Sequence, residues 1–455
     1  MNPQPPPTAP SLNRRSFIQQ SGRAITASAL AGVALPHVHA AGNDTIQLAL
    51  IGCGGRGSGA VANALDAPGG RTKMVAMADL YQDRLERSHQ ALADKYGDRV
   101  DVPYDRQFIG FDAFKNAIDS LRPGSGDIAL LTGYAGFRPQ QLEYAVERGV
   151  NVFMEKSFAT DPVGVRRVMA AAEAADKKGI KIAAGLMCRH SPNREELIRR
   201  LRGGELGDLL YTRAYRMGPV GNLGPKPEDK SEMEWQVRNF TKFYWVSGGL
   251  WAEMDIHQVD ELCWLHDALP VSAQGVCGRA ANSQDRSQNL DSFNVEWTFP
   301  NGTRAMHTVR YLPKTLSHFA TYVHGSKKAA QFSGNTHAAD VEIYKNQNTT
   351  RDNIESKAPK EQNSVWQNQW NDYLDAIQND KPFNQAKRAA QSNLAAIMGR
   401  AAMHMGRVIT WDEAMASPFQ WFPGIDNLSI EGAPPVLPDE KGNYPVPVPG
   451  QWTEI

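Results

Sequence analysis

The chain has 455 residues and a mass of 50.1 kDa, with 41% hydrophobic and 22% charged residues and 49 basic side chains against 49 acidic ones. This length is too great for one ordinary core and is typical of two or three domains. The composition excludes wholesale disorder, a collagen-like fibre and a disulfide-stapled miniprotein. The lack of a basic excess argues against a nucleic-acid-binding protein. No apolar run reaches the roughly 20 residues that span a bilayer.

The first 40 residues have the order of an export signal. The adjacent Arg14 and Arg15 precede an Ala-rich apolar run at 24–35, and residues 38–40 resemble a small-residue cleavage site. Paired arginines are typical of a twin-arginine signal. We therefore expect residues 1–40 to be removed and the mature protein to be periplasmic or secreted, without membrane contact. A disordered cytosolic tail is the alternative interpretation.

A dinucleotide-binding turn follows the signal. The apolar run 46–51 reads as a strand, 58–65 reads as a helix, and the residues between them, 52–57, carry glycines in G-x-G-x-x-G spacing. In such a turn the first glycine permits the tight bend, the second lets the backbone approach a pyrophosphate and the third lets the helix pack closely. The predicted cofactor-binding residues of this turn are Gly52, Gly54, Gly55, Arg56 and Gly57.

An acidic residue supports the same prediction. Asp79 ends a second predicted strand, 73–78, about 20 residues after the last glycine, where an acid accepts hydrogen bonds from the adenosine ribose. Because an acid repels a 2′-phosphate, Asp79 favours NAD, with NADP remaining possible. Strands and helices then alternate to about residue 186, which predicts a parallel sheet covered on both faces. Thr132, Glu155 and Lys156 follow predicted strands at the edge where ligands bind, and we count them as cofactor-binding residues.

The second half of the chain has a different period. Alternating apolar and polar residues at 210–216, 293–297 and 303–309, together with 319–323, predict a mostly antiparallel sheet that is open on one face. We predict a loop at 218–235, a polar surface excursion at 339–362, and helices at 365–378 and 386–407. The Pro-rich tail is expected to lie extended over the surface or over a partner. The expected domains are Rossmann at 43–163, an α/β substrate domain at 164–432, and the tail at 433–455.

A predicted helix at 249–265 carries one narrow ionisable stripe. Glu253, His257 and Asp260 fall within about 60° of arc on a helical wheel, while most other positions are apolar. Burying charge without a partner costs several kcal/mol, so we expect the stripe to face a polar cavity or a partner group. A buried structural ion pair is the alternative.

These features together resemble the Gfo/Idh/MocA oxidoreductases, the family of glucose–fructose oxidoreductase and inositol dehydrogenase. The glycine turn, the Glu155–Lys156 pair, the 248–260 helix and the late helix with Gly399 and Arg400 carry the resemblance over residues 45–410. The resemblance implies a Rossmann domain followed by an open α/β domain, with sugar or polyol chemistry at their junction, and self-association into a homo-oligomer. This chain has Ser157 where the family usually has proline, and Glu253 where many members have aspartate.

The resemblance and the chemistry of alcohol oxidation assign roles to the stripe. His257 is the predicted base, Glu253 is expected to fix its tautomer, and Lys156 is expected to stabilise developing alkoxide charge. The residues predicted to bind substrate are Asp260, Arg189, His190 and Tyr215.

The predicted function is NAD(P)-dependent oxidation of a secondary hydroxyl of a sugar, polyol or glycoside, with a tightly held and recycled cofactor. Glycoside cleavage by oxidation, elimination and re-reduction is one alternative, and a non-catalytic NAD-bound sugar-binding protein is another. A metalloenzyme with Glu253, His257, Asp260 and His266 as ligands is a further alternative. No metal is expected, because the spacing of these residues is not HExxH and no cysteine cluster supports a metal site. The scattered cysteines, Cys53, Cys188, Cys263 and Cys277, are expected to be small buried side chains.

Overall fold

A computed structural model describes residues 45–69, 71–334, 337 and 339–455. The predicted export signal lies outside these residues. Two sheets with flanking helices make up the described chain, as the sequence predicts. In that part of the chain, no helix is both long and apolar enough to cross a membrane.

The first sheet is parallel and six-stranded across the described residues, in the order β3-β2-β1-β4-β5-β6. Apart from the edge strand β3, its strands are mostly buried on both faces, which is typical of a sheet sandwiched between helices. The elements of this half are β1 (Ile46–Ile51), α1 (Gly55–Asp66), β2 (Thr72–Asp79), α2 (Gln82–Tyr96), β3 (Gln107–Ile109), α3 (Ala113–Asp119), β4 (Ile128–Leu131), α4 (Arg138–Glu147), β5 (Asn151–Met154), α5 (Pro162–Lys178) and β6 (Ile182–Ala184).

The second sheet has nine strands in the described chain, in the order β14-β13-β12-β11-β7-β10-β9-β8-β15. Its pairings are antiparallel except for β7 with β10. The elements are α6 (Pro192–Arg202), β7 (Leu209–Met217), α7 (Glu232–Arg238), α8 (Tyr244–Ser247), α9 (Gly249–His266), β8 (Ser272–Gly278), β9 (Ser292–Thr298), β10 (Arg304–Arg310), β11 (His318–Gly325), β12 (Ala329–Gly334), β13 (Glu342–Tyr344), β14 (Ile354–Lys357), α10 (Val365–Gln378), α11 (Ala386–Met405), β15 (Ile409–Thr410) and α12 (Trp411–Ala416).

The late helices join the two halves of the chain. Trp370, Tyr373 and Leu374 of α10 pack on one face of the first sheet with β1 and α1. α11 lies in the core formed by α5, α9 and β8, with Leu394 and Met398 fully buried. The site residues of α9 are therefore held between the two sheets by packing against residues that are distant in the sequence.

The first sheet ends with β6, which pairs with β5 after the α5 crossover and agrees with the alternation predicted to about residue 186. The segment 339–362 is not a plain loop, since it contributes β13 and β14 to the edge of the second sheet. The tail after residue 433 has no helix or strand in the described residues, and it is anchored by the buried side chains of Tyr444 and Glu454.

Candidate active site

The turn between β1 and α1 needs glycine for steric reasons. Gly52 has a φ of +98°, and a Cβ there would collide with the backbone after β4. A Cβ on Gly57 would collide with the carbonyl oxygen of Gly52. Gly54 and Gly55 have open space where a side chain would stand, as far as the described residues show. The backbone that begins α1 is therefore open to a ligand, and its N–H groups suit a pyrophosphate.

A cavity of about 620 Å³ lies along the carboxyl ends of β1, β2, β4 and β5. This is the edge at which parallel α/β sheets bind their ligands. The cavity extends from the glycine turn to α9, so both halves of the chain form its wall. The residues singled out in the sequence that line it are Gly52, Gly54, Gly55, Arg56, Gly57, Asp79, Thr132, Glu155, Lys156 and Glu253.

Asp79 lies at the end of this cavity that is formed by β2, and hydrogen bonds hold its carboxylate in place. Its carboxylate accepts hydrogen bonds from the backbone N–H groups of Cys53, at 2.6 Å, and Tyr81, at 3.0 Å. Burial raises the pKa of this carboxyl above its ordinary value. Arg84 also lines the cavity and donates a hydrogen bond to the hydroxyl of Tyr134. A carboxylate and a cation thus lie at the same end of the site.

Four of the predicted cofactor residues form two contacting pairs. The Thr132 hydroxyl donates to the carbonyl oxygen of Gly52 at 2.7 Å and so fixes the glycine turn. Arg56 Nε donates to Glu155 Oε1 at 2.9 Å, and a second guanidinium nitrogen contacts the same oxygen. This ion pair ties the start of α1 to the end of β5 across the floor of the cavity.

Lys156 is bound to α9, which comes from the other half of the chain. Its Nζ donates to the backbone oxygen of Glu253 at 2.7 Å and forms an ion pair with the Glu253 carboxylate. The next residue, Ser157, donates its hydroxyl to the backbone oxygen of Ala252 at 2.7 Å, and the Lys156–Ser157 peptide bond is cis. Both members of the ion pair line the cavity. An ammonium and a carboxylate therefore meet where the 620 Å³ cavity reaches α9.

The predicted hydrogen bond between Glu253 and His257 is not present. Among the described residues Glu253 bonds Lys156 instead, and the Nδ1 atom of His257 is buried with no hydrogen-bond partner. His257 is 6% exposed, and its imidazole lies against that of His337, with 4.4 Å between ring centroids. Burial, followed by the charges of His337 and Lys156, lowers the pKa of His257 well below its ordinary value. Among the residues that the structure describes, no acid forms a hydrogen bond with the His257 imidazole.

Asp260 is a buried anion and is not among the described residues that line the 620 Å³ cavity. It is 1% exposed, and its carboxylate accepts hydrogen bonds from Arg189 at 2.8 and 2.9 Å and from Ser392 at 2.7 Å. Burial acts to raise the pKa of Asp260, but the charges of Arg189 and Arg388 outweigh burial and lower it. Two residues predicted to bind substrate, Asp260 and Arg189, thus satisfy each other.

The other two predicted substrate residues also lie elsewhere. His190 Nδ1 is 2.6 Å from the carboxylate of Asp372, and Tyr215 accepts a hydrogen bond from Arg213 at 3.1 Å on the second sheet. Among the described residues that line the 620 Å³ cavity or a second cavity of about 500 Å³, none of the four predicted substrate residues is present. The prediction placed these four residues at the site because of their positions in the chain and on the helix face. Neither position determines how deeply a side chain is buried.

The second cavity supplies residues that the sequence argument missed. It adjoins α9 through Met254 and is lined by Arg216, Tyr311, His318 and Phe319. Arg216 donates to the Met254 backbone oxygen at 2.6 Å, which ties β7 to α9. In the first cavity, Tyr134 and Phe240 stack at 4.7 Å between centroids. Tyr134 could have been found from the sequence, because the aromatic residues Tyr134 and Phe137 come shortly after β4. Phe240 has no such local pattern.

The residues considered as metal ligands in the sequence do not meet. Glu253 pairs with Lys156, Asp260 pairs with Arg189, and His266 contacts the hydroxyls of Thr212 and Thr303. Of the residues the structure describes, the three whose ligand atoms do converge are Cys188, His257 and His337.

Residues 195–331 match the family model described as the GFO/IDH/MocA C-terminal domain. Curated proteins give no match. Solved structures do match. The chain is similar to the aldose-aldose oxidoreductase from Caulobacter crescentus complexed with glycerol, with a TM-score of 0.63, 16% identity, and coverage of 80% of this chain and 99% of that chain.

Two inositol dehydrogenases share the same fold. The myo-inositol 2-dehydrogenase from Lactobacillus plantarum gives a TM-score of 0.58 at 18% identity, covering 80% of this chain and 99% of that one. The scyllo-inositol dehydrogenase from Lactobacillus casei, with bound NAD(H) and scyllo-inositol, gives 0.58 at 19% identity with the same coverage. Residues 195–331 thus match the family's C-terminal domain, and the three solved structures show that the fold of this chain is shared with these oxidoreductases.

Proposed function

We propose that the protein is an NAD(P)-dependent oxidoreductase that acts on a secondary hydroxyl of a sugar, polyol or glycoside. One observation carries this proposal, namely that a single cavity joins the glycine turn to the Lys156–Glu253 ion pair. A fold that only held a nucleotide would not need an ammonium–carboxylate pair at the far end of that cavity. The solved relatives with this fold are named as aldose and inositol oxidoreductases, which supports the same substrate class.

The residues present fit a nicotinamide dinucleotide. Gly54 and Gly55 leave the room that a side chain would take, and the first turn of α1 offers its N–H groups to phosphate. Asp79 stands where a ribose hydroxyl would be accepted, which favours NAD, whereas Arg84 nearby leaves NADP open. When bound, the nicotinamide supplies a hydride acceptor.

The chain itself supplies charge and position for the proton step. Lys156 would donate a hydrogen bond to the substrate hydroxyl oxygen and stabilise negative charge as it develops there. Glu253 would hold the ammonium at the cavity wall through the observed ion pair, a different role from the one expected from sequence. His257, one helical turn further along α9, is the proposed proton acceptor, since a neutral imidazole has a lone pair available.

The second cavity offers space for the rest of the substrate. Its wall combines the guanidinium of Arg216 with the rings of Tyr311, His318 and Phe319. Met254, which follows Glu253 on α9, also lines this cavity. Aromatic faces and a fork of N–H donors suit sugar rings, which present both C–H faces and hydroxyl groups. We propose this cavity as the site of the non-reacting part of the sugar or glycoside.

A substrate screen tests the proposed function. Purified protein loaded with NAD, and separately with NADP, is offered aldoses, inositols and aryl glycosides, with nicotinamide absorbance and aglycone release followed together. Reduction of the cofactor by a sugar or polyol supports the oxidoreductase. Aglycone release without net reduction supports the glycoside-cleaving cycle. Neither signal with any class, in protein that demonstrably binds the cofactor, would leave a non-catalytic sugar-binding protein.

A further inference from the structure

The second cavity carries a positive charge that no acid offsets. Among the described residues that line its roughly 500 Å³, Arg216 is the one arginine or lysine, and none is an aspartate or glutamate. Arg216 is half-buried and forms no ion pair with any residue that the structure describes. Burial, followed by the charge of Arg213, lowers the pKa of His318, so this other basic side chain of the wall is neutral near neutral pH. A bound anion would supply the missing counter-charge.

Contacts with α9 fix the guanidinium of Arg216 and leave one of its edges free. Nη1 donates to the backbone oxygen of Met254 at 2.6 Å and to Gln258 Oε1 at 3.5 Å. Nη2 reaches only the sulfur of Met254, at 3.9 Å, and Nε has no hydrogen-bond partner among the described residues. The N–H groups of Nε and Nη2 lie side by side on the planar guanidinium. This fork matches the two oxygens of a carboxylate.

The charge balance of the cavity suits a carboxylate better than a phosphate. A carboxylate carries one negative charge, equal to the single full positive charge of the described lining, whereas a phosphate monoester carries nearly two. The buried acid behind the wall is already satisfied, since Asp255 accepts a hydrogen bond from the Tyr311 hydroxyl at 2.7 Å and lies 2.8 Å from His307 Nε2. It therefore leaves the charge of Arg216 available to a ligand.

Arg216 also lies close to the residues proposed for the proton step. It contacts α9 at Met254 and Gln258, one helical turn apart, and His257 lies within that turn. Burial contributes most to the lowered pKa of His257, and the charges of both Lys156 and Arg216 add to it, so both cations are near this imidazole. A helical turn rises about 5.4 Å, a span that a single hexose covers. One sugar can therefore reach both groups.

We propose that the substrate is a sugar acid, either a hexuronate or a glycoside of one, whose carboxylate binds the free edge of Arg216 while its reacting hydroxyl lies at Lys156 and His257. This inference rests on the proposed function and narrows its substrate class. The carboxylate takes no part in the oxidation and serves to hold the sugar. A neutral sugar leaves the guanidinium unpaired, and a site built to pair with a substrate group discriminates against the analogue that lacks it.

Matched pairs of sugars test the inference, with kcat/KM measured on the cofactor-loaded full chain. The two members of a pair differ in a carboxylate that replaces a hydroxymethyl group: glucuronate and glucose, galacturonate and galactose, and nitrophenyl glucuronide and glucoside. We expect the acid to be preferred by about 10- to 100-fold in the pair of the correct stereochemistry, as is typical for loss of a hydrogen bond to a charged group. Calorimetric titration of the same protein with each acid measures binding without turnover.

Variants of strand β7 assign the preference to one side chain. Arg216→Gln should remove it, chiefly by raising KM for the acid, and Arg216→Lys should keep part of it because the charge remains. Arg213→Gln is the matched control, since Arg213 lies on the same strand and is not among the described residues that line the cavity. The wild-type comparison of acid with neutral sugar holds even where Arg216→Gln proves unstable.

The outcomes separate this inference from the proposed function. Oxidation of neutral sugars with no preference for any acid would refute the sugar-acid assignment alone. A preference that persists in Arg216→Gln, that is lost equally in Arg213→Gln, or that favours glucose phosphate over glucuronate would also overturn it. Calorimetric binding of an acid that Arg216→Gln abolishes, in protein that oxidises no sugar, would support the anion site and count against the oxidoreductase. Protein that neither binds an acid nor oxidises a sugar would overturn both.

Discussion

Asp260 and Glu253 lie on one face of α9, yet their surroundings differ. Glu253 lines the nucleotide cavity, whereas Asp260 is buried against Arg189 and Ser392. At 1.5 Å per residue, the stripe rises about 10 Å from one acid to the other, enough to pass from the cavity wall into the interior. Helical spacing therefore predicts which face a residue shares, but it does not predict how deep along that face the cavity extends.

A substitution at Asp260 distinguishes a structural role of this carboxylate from a substrate-binding role. Asp260→Asn leaves the buried Arg189 without its counter-charge, so we expect a loss of about 3–5 kcal/mol in the free energy of unfolding. The substrate KM should not change, because Asp260 does not reach the cavity. Urea unfolding and steady-state kinetics measure the two effects. The matched control is Asp267→Asn, whose exposed ion pair with Arg202 is worth about 0–1 kcal/mol.

A raised KM in Asp260→Asn with unchanged unfolding would contradict the structural role. It would restore Asp260 as a substrate-binding residue, as the sequence pattern predicts.

At the scale of elements, the C-terminal tail ties together the loops that carry the site. Glu454 is fully buried and accepts hydrogen bonds from Arg400 at 2.8 Å, and its other oxygen is 3.0 Å from Nδ1 of His404. Arg400 also donates to the backbone oxygens of Gly248 and Thr160, both at 3.0 Å. These oxygens belong to the start of α9 and to the loop after β5, so one guanidinium links the segments that present Glu253 and Lys156.

The tail anchor should be sensitive to acid. Burial acts to raise the pKa of Glu454, but Arg400 and His404 outweigh burial and lower it from 4.5 to about 2. A lowered folded pKa means that the stabilisation is present above 4.5 and is lost as the pH falls toward 2. Glu454→Gln should cost about 3–5 kcal/mol near neutral pH, because it leaves Arg400 buried without a counter-charge.

Unfolding free energies of wild type and Glu454→Gln, measured from neutral pH down to about pH 3, check this prediction. The difference between the two proteins should shrink below pH 4.5. A difference that stays constant with pH would show that the carboxylate charge contributes nothing.

Elements with strong local signals could be predicted from the sequence, and the others could not. The α10 boundaries, Val365–Gln378, agree with the prediction because Ser364 caps the helix and apolar positions recur at its spacing. β13 and β14 were missed since short, polar edge strands have no clear period. Of the site, the glycine turn and Lys156 were found from local patterns. The Lys156–Glu253 pair and the second cavity depend on tertiary contacts that no local pattern encodes.

At the scale of the whole molecule, both halves of the chain enclose the nucleotide cavity. Phe240 and Glu253 of the second half line it together with the glycine turn of the first. A cofactor bound in this cavity would be held on both sides, so we expect it to dissociate slowly. We expect protein purified by gel filtration to retain bound nicotinamide, and Asp79→Ala to lose it.

Nucleotide released on denaturation and measured by its absorbance gives the retained fraction. Wild-type protein that emerges free of nicotinamide and exchanges it rapidly would argue for an ordinary dehydrogenase instead of a recycling enzyme.

The central claim is that the Lys156 ammonium acts on the reacting hydroxyl at the end of the nucleotide cavity. Single-turnover reduction of bound NAD by the sugar found in the screen tests this directly, in Lys156→Ala and in Lys387→Ala, whose lysine pairs with Glu173 at the surface. The account predicts that Lys156→Ala binds NAD normally but transfers hydride about 100-fold more slowly or worse, while Lys387→Ala matches wild type. Hydride transfer at the wild-type rate in Lys156→Ala would contradict it.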